Sequence, residues 1–119
     1  MVGRVVSIVD DDPSLRRSLK NLLSSEDFFV ETFESAEAFL GSNSRAGAAC
    51  LVLDLRMPGM SGLDLLCLLS ASGSRIPVIV LTAHGDEEAR AQSLKAGAVA
   101  FLVKPFQSAA LLEAVRAAL

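Results

Sequence analysis

The chain contains no tryptophan and no tyrosine, and it has no glycine-rich loop of the form G-x-G-x-x-G. A bound flavin would need such aromatic side chains to stack on its ring, and a dinucleotide would need the glycine loop to hold its phosphates. These absences argue against a flavodoxin-like protein that binds a cofactor.

Basic charge is also in deficit. The 119 residues include 11 lysines and arginines against 14 acidic residues, which gives a formal net charge of −3. Binding to nucleic acid normally requires a basic patch on the protein surface. We therefore expect no direct contact between this chain and nucleic acid.

Long hydrophobic segments are missing as well. Uninterrupted apolar runs such as 48–53 and 98–103 are far shorter than the roughly 20 residues needed to span a bilayer. The amino terminus lacks the hydrophobic region of a secretory signal. We expect one cytoplasmic domain over residues 1–119, with no membrane partner.

Cysteine is scarce. Cys50 and Cys67 do not have the spacing of a metal site or of a redox pair. We expect both to be free, buried thiols that carry no chemistry.

Short apolar segments alternate with segments of helical periodicity. The apolar segments predict five strands, at Val5–Val9, Phe28–Phe33, Cys50–Leu53, Val78–Leu81 and Val99–Val103. Helices are predicted at 36–40, 62–70 and 86–95, and in the segments that contain Leu15–Leu23 and Leu111–Leu119. This alternation predicts a doubly wound (βα)5 sandwich whose parallel sheet is covered on both faces, with the polar second strand at an edge.

The predicted helix at 86–95 has few large apolar residues. Asp86 is suited to cap its start and Gly97 to end it. Its inward face would consist mainly of Ala89 and Leu94. We expect this helix to be weakly anchored and comparatively mobile.

Three consecutive acids, Asp10, Asp11 and Asp12, follow the first predicted strand. Asp12 is suited to cap a helix whose first residue is Pro13. Capping leaves Asp10 and Asp11 unexplained, and crowded carboxylates raise one another's pKa unless a cation shares their site. The pair therefore indicates a cationic partner.

Polar residues also follow the third, fourth and fifth predicted strands. Asp54 follows the third strand, Thr82 the fourth and Lys104 the fifth. Ligands of open parallel sheets bind at the carboxyl ends of the strands, so these side chains are expected to meet Asp10 and Asp11. The set offers oxygen ligands for a hard cation such as Mg²⁺, together with two donors for an anion.

These residues make the sequence resemble the receiver domains of two-component response regulators, and the resemblance covers essentially its whole length. The matching motifs are Asp10-Asp11, Leu53-Asp54-Leu55-Arg56-Met57-Pro58-Gly59-Met60-Ser61-Gly62, Thr82-Ala83 and Lys104-Pro105-Phe106. Each motif alone is weak evidence, but four in order at strand ends are strong evidence. The resemblance implies a CheY-like, flavodoxin-like sandwich with strand order 2-1-3-4-5.

The resemblance also implies roles for individual residues. Asp54 would accept a phosphoryl group from the phosphohistidine of a sensor histidine kinase. Mg²⁺ would be held by Asp11, Asp54 and the Arg56 main-chain carbonyl, with Asp10 acting through water. Lys104, preceding a cis proline, would pair with the phosphoryl oxygens, and the Thr82 hydroxyl would bond to one of them.

Further roles concern the response to phosphorylation. By resemblance, movement of Thr82 would let Phe101 rotate inward and change the surface formed by the fourth helix, the fifth strand and the fifth helix. Arg56 and His84 would flank the phosphoryl group and modulate its lifetime. Asp12 is an additional acid beside the pair, and it leaves open which carboxylates reach the metal.

The sequence most resembles receivers of LuxR/FixJ-like transcription regulators. This implies a C-terminal DNA-binding effector domain that is absent from this chain, with a stand-alone receiver as the alternative. The surface changed by phosphorylation would bind a second copy, forming a homodimer, or an output domain. One alternative is a phosphorylation-independent interaction module of the same fold. A second, an aspartate-nucleophile phosphohydrolase, would need an aspartate two residues after Asp54, where Arg56 stands.

Overall fold

The computed structural model describes residues 5–43, 47–83 and 87–119. The strands are β1 Val5–Val9, β2 Phe29–Phe33, β3 Cys50–Asp54, β4 Val78–Thr82 and β5 Ala100–Val103. The helices are α1 Pro13–Ser25, α2 Ala36–Leu40, α3 Gly62–Ala71, α4 Glu87–Lys95 and α5 Ser108–Ala118. The predicted strands and helices are confirmed with shifts of one residue at some ends, and Asp86 lies outside the described residues.

The five strands form one parallel sheet in the order β2-β1-β3-β4-β5. The doubly wound fold and the implied strand order are therefore confirmed. Strands β3 and β4 are buried along their whole length, whereas β2 is largely exposed at the edge, as expected from its polar residues. In the described part of the chain, no helix combines the length and apolar character that crossing a bilayer requires.

Two hydrophobic layers cover the sheet. On one face, Leu19 and Leu23 of α1 and Leu111 and Val115 of α5 are buried against the sheet. On the other face the core is built mainly from α2 and α3, including Phe39, Leu65 and Leu69. Because close-packed side chains cover both faces of the sheet, its carboxyl edge is a rigid support for the loops that follow the strands.

Helix α4 is anchored differently from the prediction. Its buried residue is Ser93, whose hydroxyl donates to the Ala89 carbonyl at 2.8 Å, whereas Leu94 is 39% exposed. Ala89 and Ser93 lie one helical turn apart and share the inward face, and Leu94 is rotated about 100° from Ser93. The expectation that Leu94 anchors the helix is wrong, and the helix is held to the core by small side chains.

The two thiols are free, but they differ in exposure. Cys50 is fully buried in β3, as expected, whereas Cys67 is exposed on α3, so the prediction that Cys67 is buried is wrong. Burial raises the pKa of the Cys50 thiol to about 12.

Gly62, the first residue of α3, lies directly against the end of β3. A Cβ atom at this position would be 2.0 Å from the Asp54 carbonyl oxygen and 2.7 Å from the Leu55 Cα. The Gly62 N–H donates to the Leu55 carbonyl at 2.8 Å. This close approach fixes where α3 begins relative to Asp54.

The Gly62→Ala substitution should destabilise the protein by about 3 kcal/mol, because the added methyl group overlaps main-chain atoms. An ordinary glycine in a helix would instead gain stability of about 1 kcal/mol on substitution by alanine. The measurement is urea unfolding followed by far-ultraviolet circular dichroism. Gly47→Ala, at which a Cβ meets nothing within 4 Å, is the matched control and should be nearly neutral; an unchanged midpoint in Gly62→Ala would contradict the close approach of α3 to β3.

A thiol reagent should label one cysteine in the native protein and two after denaturation. Cys67 is accessible, whereas Cys50 is buried and held in the unreactive thiol form. Labelling is followed by mass spectrometry, with Cys67→Ser as the control that should leave the native protein unlabelled. Rapid native labelling of Cys50 would contradict this core.

Candidate functional site

The candidate site lies at the carboxyl edge of the sheet, where the strand order reverses. Strands β1 and β3 are neighbours, and the chain leaves them toward helices on opposite faces. A crevice forms at such a position because the two connections diverge. Asp10 follows β1 directly and Asp54 is the last residue of β3, so the sheet brings these two acids together.

Three carboxylates form one cluster. Asp10, Asp11 and Asp54 each offer an oxygen, and these oxygens all lie within 4.8 Å of one another. Asp10 is 1% exposed and Asp54 is 6% exposed, whereas Asp11 is open to solvent. The cluster therefore combines two buried carboxylates with one that faces water, and its oxygen-only donor set fits a hard divalent cation.

Lys104 supplies positive charge to this cluster. Its Nζ lies 3.1 Å from Asp10 Oδ2 and 3.6 Å from Asp54 Oδ1. The Lys104–Pro105 peptide bond is cis, and the Lys104 N–H donates to the Thr82 carbonyl at 2.7 Å. One ammonium against three carboxylates leaves an excess of negative charge, which a divalent cation would balance.

The environment of Asp54 favours its protonated form. Its pKa is raised to about 6, first because burial removes water from the carboxylate and second because the charge of Asp10 repels it. Lys104 and the Arg56 N–H, which donates to Asp54 Oδ1 at 3.4 Å, act in the opposite direction. Asp54 is thus largely ionised at neutral pH, but it is poorly solvated.

The two predicted switch residues lie on adjacent strands. Thr82 is the last residue of β4 and is 1% exposed. Phe101 on β5 pairs with Val80 in the sheet and is partly buried against the α2–α3 core. The structure therefore places Thr82 at the same edge of the sheet as Asp54, with Phe101 deeper along the neighbouring strand.

The three residues predicted to modulate the site, Arg56, Asp12 and His84, differ in their surroundings. Arg56 is exposed in the loop after β3. Asp12 caps α1, as expected, because its Oδ1 accepts from the Ser14 and Leu15 N–H groups at 2.9 and 3.4 Å. His84 lies outside the described residues.

Two contacts beside the site involve residues that sequence reasoning missed. The guanidinium of Arg16 donates to the Asp10 carbonyl at 2.6 Å. Glu37 Oε2 accepts from the Met60 N–H at 3.1 Å, which ties α2 to the loop after Asp54. Arg16 carried a usable signal, because a cation in the first turn of a helix opposes the helix dipole and needs another partner. Glu37 carried none, since an acid in a first turn is ordinary.

Comparisons with known proteins agree along the whole chain. The family model for the response regulator receiver domain matches residues 6–116. The response regulator protein TodT of Pseudomonas putida is 45% identical over 115 residues, which cover 97% of this chain and 51% of TodT. The transcriptional regulatory protein FixJ of Azorhizobium caulinodans is 46% identical over 114 residues, which cover 96% of this chain and 54% of FixJ. The chain spans about half the length of these curated relatives.

Solved structures show the same fold. The crystal structure of FixJ-N has a TM-score of 0.88 at 42% identity, and the match covers 99% of this chain and 94% of that one. The chemotaxis protein CheY4 of Vibrio cholerae has a TM-score of 0.90 at 26% identity, and the match covers 99% of this chain and 100% of CheY4.

The Asp54→Asn substitution should stabilise the protein at neutral pH in the absence of divalent cations. The pKa of Asp54 is raised on folding, so its ionisation opposes the folded state. The penalty is absent below the unfolded pKa, near pH 4, and grows until the pH exceeds about 6. The substitution should therefore gain about 2 kcal/mol at about pH 7.5 and nothing at about pH 4.

Urea unfolding at several pH values measures this difference. Glu113→Gln, which removes an exposed carboxylate on α5, is the control and should follow the parent protein at every pH. An advantage of Asp54→Asn that does not depend on pH would show that the raised pKa is not its cause.

Proposed function

The chain belongs to the response regulator receiver family, and on that premise we propose that Asp54 is the phosphoacceptor of this two-component signalling switch. The observation that carries the proposal is the convergence of Asp10, Asp11 and Lys104 on Asp54 at one edge of the sheet. The donor is the phosphohistidine of a sensor histidine kinase. The receiver is a signalling domain over residues 1–119 rather than an enzyme acting on an external substrate.

The reaction needs a carboxylate nucleophile and little else from the protein beyond alignment and charge. A carboxylate oxygen of Asp54 attacks phosphorus, the new O–P bond forms, and the P–N bond breaks with its electron pair leaving on the imidazole. Poor solvation of the ionised Asp54 means that few water hydrogen bonds must be broken before its carboxylate can react. Lys104 lies where it can pair with the phosphoryl oxygens while remaining close to Asp10.

We assign Mg²⁺ to the acidic cluster. Asp11, Asp54 and the Arg56 carbonyl would hold it, with Asp10 acting through water. When bound, Mg²⁺ would neutralise charge on the phosphoryl oxygens. The support is the oxygen-only donor set, the unbalanced negative charge and the exposure of Asp11, which leaves the cluster open to an ion from solvent.

Phosphorylation is proposed to act through Thr82 and Phe101. The added group brings nearly two negative charges and strong acceptor oxygens. The Thr82 hydroxyl would turn toward it, and Phe101 would rotate into the space left beside β4. Arg56, His84 and Asp12 are proposed to modulate how long the phosphoryl group persists.

The output is proposed to be transcriptional. FixJ is a transcriptional regulator about twice the length of the matched segment, which supports a DNA-binding effector domain in the whole protein. The surface formed by α4, β5 and α5 carries the exposed apolar residues Leu94, Val99 and Val103 and would pair with a second copy on phosphorylation. The proposed location is the cytoplasm, where the kinase's phosphorylated histidine is available.

Incubation with acetyl phosphate and Mg²⁺ should add one phosphoryl group to the chain, seen as a mass gain. Asp54→Asn should abolish the gain, and Lys104→Ala should reduce its rate by at least about tenfold because the phosphoryl charge loses a partner. Chelation of divalent cations should stop the reaction.

Asp64→Asn is the matched control, since Asp64 also lies near the end of the loop after β3 but belongs to the cap of α3. It should be phosphorylated normally. No gain in the parent protein would favour the phosphorylation-independent module, and an equal gain in Asp54→Asn would exclude Asp54 as the acceptor.

A further inference from the structure

We propose that Arg16 is a positioning residue for the acidic pair: by holding the Asp10 carbonyl, it fixes the direction in which Asp11 enters the site. Among the described residues, Arg16 forms no ion pair with the acidic side chains and bonds instead to the Asp10 carbonyl, so its action passes through the main chain. The inference rests on the proposed function, because it treats Asp10 and Asp11 as the metal-binding pair.

Arg16 holds the main-chain carbonyl of Asp10, whereas other residues hold its N–H and its carboxylate. The Asp10 N–H donates to the Phe33 carbonyl at 3.2 Å. Its carboxylate accepts from the Asp12 N–H at 2.9 Å and from Lys104 at 3.1 Å. The Asp10 carbonyl accepts from Arg16 Nη1 at 2.6 Å. The N–H, the carboxylate and the carbonyl of Asp10 are thus all held by hydrogen bonds.

Fixing this carbonyl also orients Asp11. The Asp10 carbonyl and the Asp11 N–H belong to one planar peptide unit, so a bond that holds the oxygen holds the plane. Asp11 is exposed, and it has no core packing to hold it in place. The orientation of its carboxylate therefore depends on the backbone that carries it.

The position of Arg16 on α1 supports a specific task. Arg16 lies in the first turn, where the helix dipole disfavours a cation. Its neighbour Arg17 is exposed, whereas Arg16 is partly buried and reaches back across the start of the helix. The bond to the Asp10 carbonyl explains why a guanidinium is found at a position that the helix dipole disfavours.

Two possible roles of Arg16, as a nearby positive charge or as a group that positions Asp11, make opposite predictions for Mg²⁺ binding. If Arg16 acted only as a nearby positive charge, its removal would strengthen binding of a cation to the acids. If Arg16 positions Asp11, its removal should weaken binding, by about tenfold as for other groups that orient metal ligands. The sign of the change therefore separates the two roles.

The test compares Arg16→Met with Arg17→Met in the 119-residue chain. Both substitutions remove one charge from adjacent positions of α1 and keep an unbranched side chain that can pack. Isothermal titration with Mg²⁺ should show about tenfold weaker binding in Arg16→Met and no weakening in Arg17→Met. Arg16→Lys, which retains a donor, should recover part of the affinity.

A second measurement separates positioning from loss of structure. Phosphorylation by acetyl phosphate should be slow in Arg16→Met at low Mg²⁺ and should return to the parent rate at saturating Mg²⁺. A variant that is merely misfolded would stay slow. Equal Mg²⁺ affinity in the two Met variants, or tighter binding in Arg16→Met, overturns this inference alone; no Mg²⁺ binding by the parent protein overturns the proposed metal site and this inference with it.

Discussion

The structure depends on keeping three carboxylates close together at the edge of a hydrophobic sheet. Asp10 and Asp54 are almost fully buried, and their oxygens lie within 4.8 Å of each other and of Asp11. Lost hydration and, after it, repulsion between the carboxylates oppose this arrangement, and both raise the pKa of Asp54. Lys104 offsets part of the cost. The proposed function would use the remainder, since a site that is short of positive charge would bind a divalent cation and a poorly solvated carboxylate would attack phosphorus.

Rigid features of the main chain hold the acids against this repulsion. Gly62 lets α3 begin in contact with the Asp54 carbonyl, and no larger residue fits there. On the opposite side of the crevice, Asp12 starts α1 and thereby places the Arg16 side chain beside the Asp10 carbonyl. These contacts use backbone atoms, so they fix the loops without neutralising the carboxylates. The side chains stay available for the cation and the phosphoryl group of the proposed function.

The features that could be predicted from the sequence depend on hydrophobic periodicity and on which residues end the strands. Alternating apolar segments were sufficient to predict five strands, and a parallel sheet necessarily gathers the residues at their carboxyl ends. What could not be predicted depends on helix rotation and on contacts between distant segments. Leu94 is more hydrophobic than Ser93, yet Ser93 faces the core, and its buried hydroxyl is satisfied by the Ala89 carbonyl. The bond from Met60 to Glu37 spans 23 positions and leaves no local pattern.

The existing ion pairs of Lys104 limit how much energy the proposed switch can use. Shifting a two-state equilibrium from 1:99 to 99:1 requires about 5.5 kcal/mol of differential interaction. Lys104 already lies 3.1 Å from Asp10 and 3.6 Å from Asp54, so pairing with a phosphoryl group exchanges contacts rather than adding them. In the proposed switch, most of the difference would then come from Thr82 and from a cation bound at the acidic cluster. Helix α4 is suited to a switch that has little free energy available. Its buried residue is Ser93, so movement of the helix would break little apolar packing.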